Sequence, residues 1–329
     1  MREALYYKKE PLFRVRCVLC PHRCQMHKGQ AGLCRSRVNQ DGELMTTAYE
    51  EVSAYGLDPV EKKPLYHFLP GRDLLTYSGN GCTFRCTFCA NHMISQEDAP
   101  TAHLGVPELV ELARRHGAAG LAASYAEPVV FYEFVRDMAP CAREQGLKNV
   151  AVTNGFILEG PLRDWLPSLD ALKVDLKGNE AFYREVCGGQ ADPVWRTVRI
   201  AHESGVHVET AMPLIPSLND YHEDFDEMVG KLAEISPEIP FHIQAYTPAH
   251  RMSVDATPLE DLERAYEAAS RSLKFVYLQN VSGVPDRQTT FCPDCREPLI
   301  RRDGNRVLEN RLKEGQCPRC ARAIPGVFS

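Results

Sequence analysis

The sequence predicts an α/β fold: a partial (β/α)6 TIM-like barrel with an N-terminal Cys-rich module and a C-terminal zinc-ribbon-like module. Three observations lead there. Between residues 72 and 284, short apolar runs alternate with amphipathic stretches of helical length, which implies a parallel sheet with right-handed crossovers. About six or seven such units suggest a barrel or partial barrel rather than a flat sheet. Finally, most of the thirteen cysteines fall in three tight clusters. The expected division is 1–71 for the N-terminal four-cysteine module and connector, 72–284 for the barrel, and 285–329 for the C-terminal module.

Composition narrows the function classes. A chain of 329 residues is long enough for a full core. A net charge of −6 gives no reason to expect nucleic acid. No run of 18 apolar residues appears, so no membrane span is expected. Met1 to Pro11 is charged and does not read as a signal peptide. Clustered cysteines then point to metal sites in a reducing cytoplasm rather than to disulfides.

The first cluster is Cys17, Cys20, Cys24 and Cys34. Four thiolates make a complete tetrahedral set, and Gly29 and Gly32 let the loop between them fold back. Zinc or a second iron–sulfur cluster would satisfy it, with His22 and His27 as alternative ligands or plain loop residues. Asp58 to Gly71, DPVEKKPLYHFLPG, is rich in proline and charge and reads as an irregular connection packed on the main domain.

From residue 72 the alternation begins. Leu74–Ser78 reads as a strand, and Val106–His116 as a helix with Val106, Leu109, Val110 and Ala113 on one face. Strand Gly120–Tyr125, helix Val129–Gln145 and strand Asn149–Thr153 follow, the helix stopping near Gly146. Next come strand Leu172–Leu176, a helix from Glu180 and strand Val206–Leu214. Helix Tyr221–Ile235, strand Phe241–Ala245, helix Pro258–Ser270 and strand Phe275–Leu278 close the series.

Between the first two of these units lies Gly79–Ala90, GNGCTFRCTFCA. Its cysteines, Cys82, Cys86 and Cys89, are spaced C-x3-C-x2-C. Three thiolates this close suit three irons of a cubic [4Fe–4S] cluster, leaving the fourth iron open to a ligand. Zinc fits less well, because it usually takes paired C-x2-C units closing to four ligands.

In a barrel the chemistry sits at the carboxyl ends of the strands. Tyr125, Glu127 and Pro128 follow the second strand, and Thr153, Asn154 and Gly155 the third. Asp175 and Lys177 follow the fourth, and Pro213, Pro216, Asn219 and Asp220 the fifth. Gln244, Tyr246 and His250 lie at or after the sixth. Taken singly, each has an ordinary reading as a turn, a helix cap or a first-turn charge. Gathered at one rim with the cysteine loop, they read as a site.

The tail carries Cys292, Cys295, Cys317 and Cys320, spaced C-x2-C-x21-C-x2-C. Two such knuckles form a zinc-ribbon-like or rubredoxin-like site. Zinc is the default metal and its role structural, since protein fills all four positions. Cys141 and Cys187 stand alone and read as inert, although Cys187 precedes Gly188-Gly189 in a rim loop.

GCTFRCTFC resembles the signature of radical S-adenosylmethionine (radical SAM) enzymes. CVLCPHRC, DPVEKKPLYHFLPG, SYAEPVVFYEF, VTNGF, LKVDLKG, PLIPSLND and the FCPDC…NRLKEGQCPRC…IPGV tail together resemble the radical SAM member of the AmmeMemoRadiSam system. The likeness runs along nearly the whole chain. The same core is similar to pyruvate formate-lyase activating enzymes. The resemblance implies a radical SAM barrel with a [4Fe–4S] cluster and S-adenosylmethionine as cofactors. It implies Cys82, Cys86 and Cys89 as cluster ligands, and reductive cleavage of SAM to methionine and a 5′-deoxyadenosyl radical that takes hydrogen from a substrate.

The same resemblance lays Phe88 against the adenine. Tyr125 and Glu127 stand where the family often has Gly-Gly-Glu-Pro at the SAM amino group. Thr153 and Asn154 match the Thr-Asn of activating enzymes, with Val152 in place of their acidic residue. Asp175 and Lys177 match an Asp-Leu-Lys at the SAM ribose or carboxylate, and His242 matches a histidine near SAM. The implied partners are a one-electron donor of flavodoxin or ferredoxin type and Memo-like and AMMECR-type proteins, with no nucleic acid and no membrane. Three functions follow in order: a radical SAM enzyme on a small molecule or peptide, a glycyl-radical activase, and a non-catalytic metal-binding scaffold.

Overall fold

A computed structural model describes residues 1–220 and 222–329. Its centre is one eight-stranded sheet: β1 (Ala54–Pro59), β2 (Asp73–Ser78), β3 (Gly120–Ala123), β4 (Lys148–Thr153), β5 (Ala171–Asp175), β6 (His207–Leu214), β7 (Phe241–Ala245) and β8 (Val276–Gln279). Strand order follows chain order without reversal. β1 and β2 are antiparallel, and every later neighbour pair is parallel. Six helices fill the crossovers: α1 (Val106–Arg115), α2 (Tyr132–Glu144), α3 (Glu159–Trp165), α4 (Ala191–Glu203), α5 (His222–Ile235) and α6 (Leu259–Ala269).

Strand and helix periodicity decide which side faces what. In β5, Leu172 and Val174 join the large core shared with the helices, while Ala171 packs with Val60, Leu65, Phe68 and Leu69 on the opposite face. On α1, Val106, Leu109, Val110 and Ala113 are buried at helical spacing. Glu108 accepts from the Gly105 N–H and satisfies one orphan donor of the first turn. Each fully buried Leu or Val in this layer contributes about 1.5–3 kcal/mol.

The second face of the sheet is covered by residues 58–71, the segment expected to be an irregular connection. It is more deeply placed than that: residues 63–69 are all buried. Register puts Lys173, Glu209, His242 and Tyr277 on this face. Glu209 accepts from the Tyr66 and His67 N–H groups at 2.9 and 2.8 Å and from His242 at 2.7 Å. The expected segment also begins inside β1, so the sheet starts before residue 72.

The termini dock on this frame. Residues 2–3, 37–40 and 43–46 form one small antiparallel sheet, and 7–10, 14–17 and 25–26 another. At the C-terminus, 290–291, 298–303 and 306–310 form a third. There Cys292, Leu299, Ile300 and Ile324 share a core with Tyr66, Phe275 and Tyr277.

Most expected elements lie within a residue or three of the observed ones. Tyr221, the expected start of a helix, lies outside the described residues. The stretch from Glu180 is not one helix: three α-helical residues pass into a π turn, Tyr183–Cys187, which ends at Gly188 with φ +73° before α4 starts. Among the described residues no helix is long and apolar enough to cross a membrane.

Candidate functional site

The cysteine loop leaves the carboxyl end of β2. Gly81 has φ +107°, and a Cβ there would lie 2.6 Å from the Cys34 carbonyl oxygen and the Ser36 Oγ. Only glycine lets the loop lie this close to the N-terminal module. Donors surround the sulfurs. Cys82 Sγ accepts from the Phe84 N–H at 3.3 Å and from Asn154 Nδ2 at 3.6 Å. Cys89 Sγ meets Ser95 Oγ at 3.2 Å. Together the three sulfurs spread wider than 4.8 Å, whereas the C-terminal four all fall within that distance of one another. The wide triplet suits a cube of irons better than one small ion.

The π turn clasps the loop from the other side. Arg85 and Thr87 donate their N–H groups to the carbonyls of Cys187 and Val186 at 2.8 and 3.1 Å. Gly189 sits so close that a Cβ would meet the Phe84 ring at 2.1 Å. Cys187, read from the sequence as inert, is fully buried and faces Cys86.

Glu127 acts as the clamp between the loops after β3 and β4. It is 4 % exposed and accepts from Thr153 Oγ1, from the Asn154 N–H at 2.8 Å and from the Val129 N–H at 3.1 Å. Burial pushes its carboxyl up to about 7, against the pull of those three donors. Asn154 carries the geometry onward, donating to Thr83 Oγ1 at 2.9 Å as well as to Cys82. Glu127, Thr153, Asn154 and Cys82 are thereby joined in one network.

Asp175 and Lys177 form a second group. Asp175 pairs with Lys173, and with Lys177 at 3.5 Å. Burial acts to raise Asp175, and the two ammonium groups outweigh it and hold the carboxylate below its ordinary range. Burial acts to lower Lys177, and Asp175 with the thiols of Cys86, Cys187 and Cys89 outweighs it in turn. Lys177 Nζ stands 5.8 Å from the centre of the Phe88 ring, which leans on Phe182. A buried cation, an aromatic face and three thiols therefore converge.

Two expected residues turn their side chains elsewhere, although the Tyr125 carbonyl accepts from Asn91 Nδ2 at 3.0 Å beside the cysteine loop. Tyr125 has φ +68°, and its hydroxyl turns to Asp58, under Lys63 Nζ at 4.1 Å from the ring centre. His242 is fully buried on Glu209 and against the Tyr66 and Tyr277 rings, beneath the connector. Of the other rim residues, Asn219 holds its own turn by donating to the Lys177 and Pro213 carbonyls at 2.7 and 2.8 Å.

His250 reaches the cysteine loop: its ring stacks on His92 at 4.3 Å, and His92, Glu97 and His250 place ligand atoms within 4.8 Å. Sequence reasoning missed His92 and Glu97, although they lie only three and eight positions after Cys89. It also missed Lys173, whose signal was a lone lysine in the apolar run ALKVD. At the far end, Cys292 and Cys320 sulfurs are 3.5 Å apart and Cys295 and Cys317 3.6 Å apart. That is near the roughly 3.8 Å a tetrahedron with 2.3 Å zinc–sulfur bonds requires.

With this geometry in place, likeness to known proteins can be set beside it. The profile of the Radical SAM superfamily matches residues 76–232. The chain is 36% identical to an uncharacterized protein of Methanocaldococcus jannaschii, over 98% of this chain and 99% of that one. It is 26% identical to the benzylsuccinate synthase activating enzyme of Thauera aromatica, over 53% of this chain and 56% of that one. It is 24% identical to pyruvate formate-lyase 1-activating enzyme of Escherichia coli, over 53% and 75%. Streptococcus suis SuiB bound to S-adenosylmethionine shares the fold at a TM-score of 0.54 and 16% identity, over 71% of this chain and 56% of that one. A radical SAM methyltransferase from Sphaerobacter thermophilus does so at 0.50 and 19%, over 65% and 68%.

Proposed function

The chain belongs to the radical SAM superfamily, and on that premise we propose that it is an enzyme that cleaves S-adenosylmethionine reductively and takes hydrogen from a small-molecule or peptide substrate. The observation that carries this reading is the convergence of Cys82, Cys86 and Cys89 with a buried lysine, an aromatic face and the Glu127–Asn154 network at the carboxyl end of a parallel sheet. We take the sheet as the partial (β/α)6 barrel, bounded by modules at 1–71 and 285–329.

In this reading Cys82, Cys86 and Cys89 hold a [4Fe–4S] cluster with one open iron. When bound, the cluster and SAM would supply the chemistry, a one-electron reductive cleavage of SAM that draws its electron from a flavodoxin- or ferredoxin-type donor. The protein positions and encloses. Asn154 and the Phe84 N–H donate to Cys82 and fix its rotamer. Lys177, beside the thiols and Asp175, lends positive charge where thiolates and a SAM carboxylate gather. Phe88 offers a face for the adenine. Glu127 orients Thr153 and Asn154. Tyr125 and His242 belong to the same proposal as more distant contributors, through Asp58 and Glu209. The C-terminal cysteines hold zinc. Memo-like and AMMECR-type proteins are the partners this reading brings with it.

The test is anaerobic reconstitution with iron and sulfide, followed by dithionite and SAM. 5′-Deoxyadenosine and methionine are expected, and neither from Cys86→Ala. Product from Cys86→Ala would overturn the ligand assignment, and none from the intact protein would leave only a metal-binding scaffold. A second reading, activation of a glycyl-radical partner, draws on the likeness to two activating enzymes. Val152 and the missing glycines before Glu127 place it behind the first. A glycyl-radical EPR doublet on a partner protein would promote it.

A further inference from the structure

We propose that Cys17, Cys20, Cys24 and Cys34 hold a second cubic [4Fe–4S] cluster rather than zinc. The inference stands on the N-terminal module alone and does not depend on the reaction proposed above.

All four cysteines line one apolar recess, closed by Thr83 and Val130 from the main sheet's loops. All four share its lining with Leu19, Met26 and Arg37. Yet no three of their sulfurs fall within 4.8 Å of one another, while the C-terminal set does so with pairs at 3.5 and 3.6 Å. Zinc holds four sulfurs roughly 3.8 Å apart. A four-iron cube holds its four cysteine sulfurs roughly 6 Å apart and needs a void between them. The same chain thus carries one tetrathiol set spaced for a single ion and one spread around a space.

The surroundings are built for an anion. Leu33 donates its N–H to Cys24 Sγ at 3.5 Å, and the N–H groups of Leu19, His22 and Ser36 point at Cys17, Cys20 and Cys34. Arg37 lines the recess, is 2 % exposed, and leaves its Nε without a partner. Its terminal nitrogens go to the Leu5 carbonyl and Glu133. A buried guanidinium beside four thiols suits any tetrathiolate metal; the spacing of the sulfurs selects the cube.

Position gives the second cluster a use. Thr83, the residue after Cys82, forms part of its wall, and the Thr83 carbonyl meets His22 Nε2 at 2.7 Å. Thr83 alone stands between Cys82 and the wall of that recess. With all four irons ligated by protein, this cluster is an electron carrier and offers no open iron.

The test is iron, zinc and acid-labile sulfide analysis of the full chain after anaerobic reconstitution, beside the triple variant Cys82→Ala/Cys86→Ala/Cys89→Ala. The intact protein is expected to hold about eight irons and eight sulfides, and the triple variant about four of each. On reduction the variant is expected to give an S = 1/2 EPR signal that SAM does not alter. About four sulfides and two zinc ions in the intact protein would overturn the proposal, whether or not the variant folds. Absence of SAM cleavage would leave the count untouched, so the two readings fail separately.

Discussion

At the scale of single residues, the candidate site is held by buried polar groups with few substitutes. Glu127 accepts three donors that have no water to turn to. Glu127→Ala should lower stability by about 2–4 kcal/mol and cut 5′-deoxyadenosine formation at least roughly tenfold. Anaerobic urea denaturation and product analysis would check both, and an unchanged denaturation midpoint would remove the clamp. His67 carries a pH prediction. It bridges the Pro325 carbonyl at 2.7 Å and the Tyr277 hydroxyl at 2.6 Å, and burial pushes it down to about 4. Its folded value lies below the unfolded one near 6.5, so its contribution is complete above about pH 6.5 and is lost as pH falls toward 4. By pH 5 the loss should reach about 2 kcal/mol. His67→Phe should flatten that slope; an equal slope in the variant would mean other groups set it. Residues of this kind were hard to read in the sequence. The cysteines were legible because spacing alone reports metal chemistry. His67, Glu209 and Lys173 depend on partners up to 258 positions away, which no local pattern reveals.

At the scale of elements, the sequence was legible where periodicity was strong. The parallel strands and helices α1, α2, α5 and α6 followed apolar spacing closely, whereas α4 was merged into a single helix expected from Glu180. β1 was missed because it is an edge strand that leaves Tyr55 and Leu57 exposed and ends in proline. α3 was missed because it is seven residues long and contains Gly160 and Pro161. The π turn had no signal except the glycine pair that ends it. The loops that the sequence marked as a rim also prove to be tied together. Gly81 is one of the points where the cysteine loop lies directly against residues 34–36. Gly81→Ala would press a Cβ against the Cys34 carbonyl at a positive φ. It should cost about 2–4 kcal/mol and lower iron content at both cysteine sites. Unchanged iron and stability would mean the two loops are not mechanically coupled.

At the scale of the whole molecule, Arg302 joins the C-terminal three-stranded sheet to the connector beneath the main sheet. It is fully buried, donates to the Tyr66 carbonyl at 2.6 Å, lies over the Tyr66 ring, and faces Glu61 at 3.6 Å. Arg302→Leu leaves Glu61 buried without its cation and should destabilise by about 3–5 kcal/mol. Cys292→Ala should release whatever metal the C-terminal four cysteines bind and lower thermal stability, while the metal content of Cys82, Cys86 and Cys89 persists. Loss of metal from both sites in step would instead make the C-terminal sheet part of the candidate site. The connector beneath the sheet has a consequence in time. Val60, Leu65, Phe68 and Leu69 leave the ribosome well before Glu209 and Arg302, the residues that satisfy Tyr66, His67 and Glu61. For most of synthesis this sticky segment has neither its sheet nor its polar partners. The nascent chain should therefore lean on a holdase until its last sixth is made, and ribosome-stalled chains ending before residue 209 should be captured by such chaperones far more than full-length protein is.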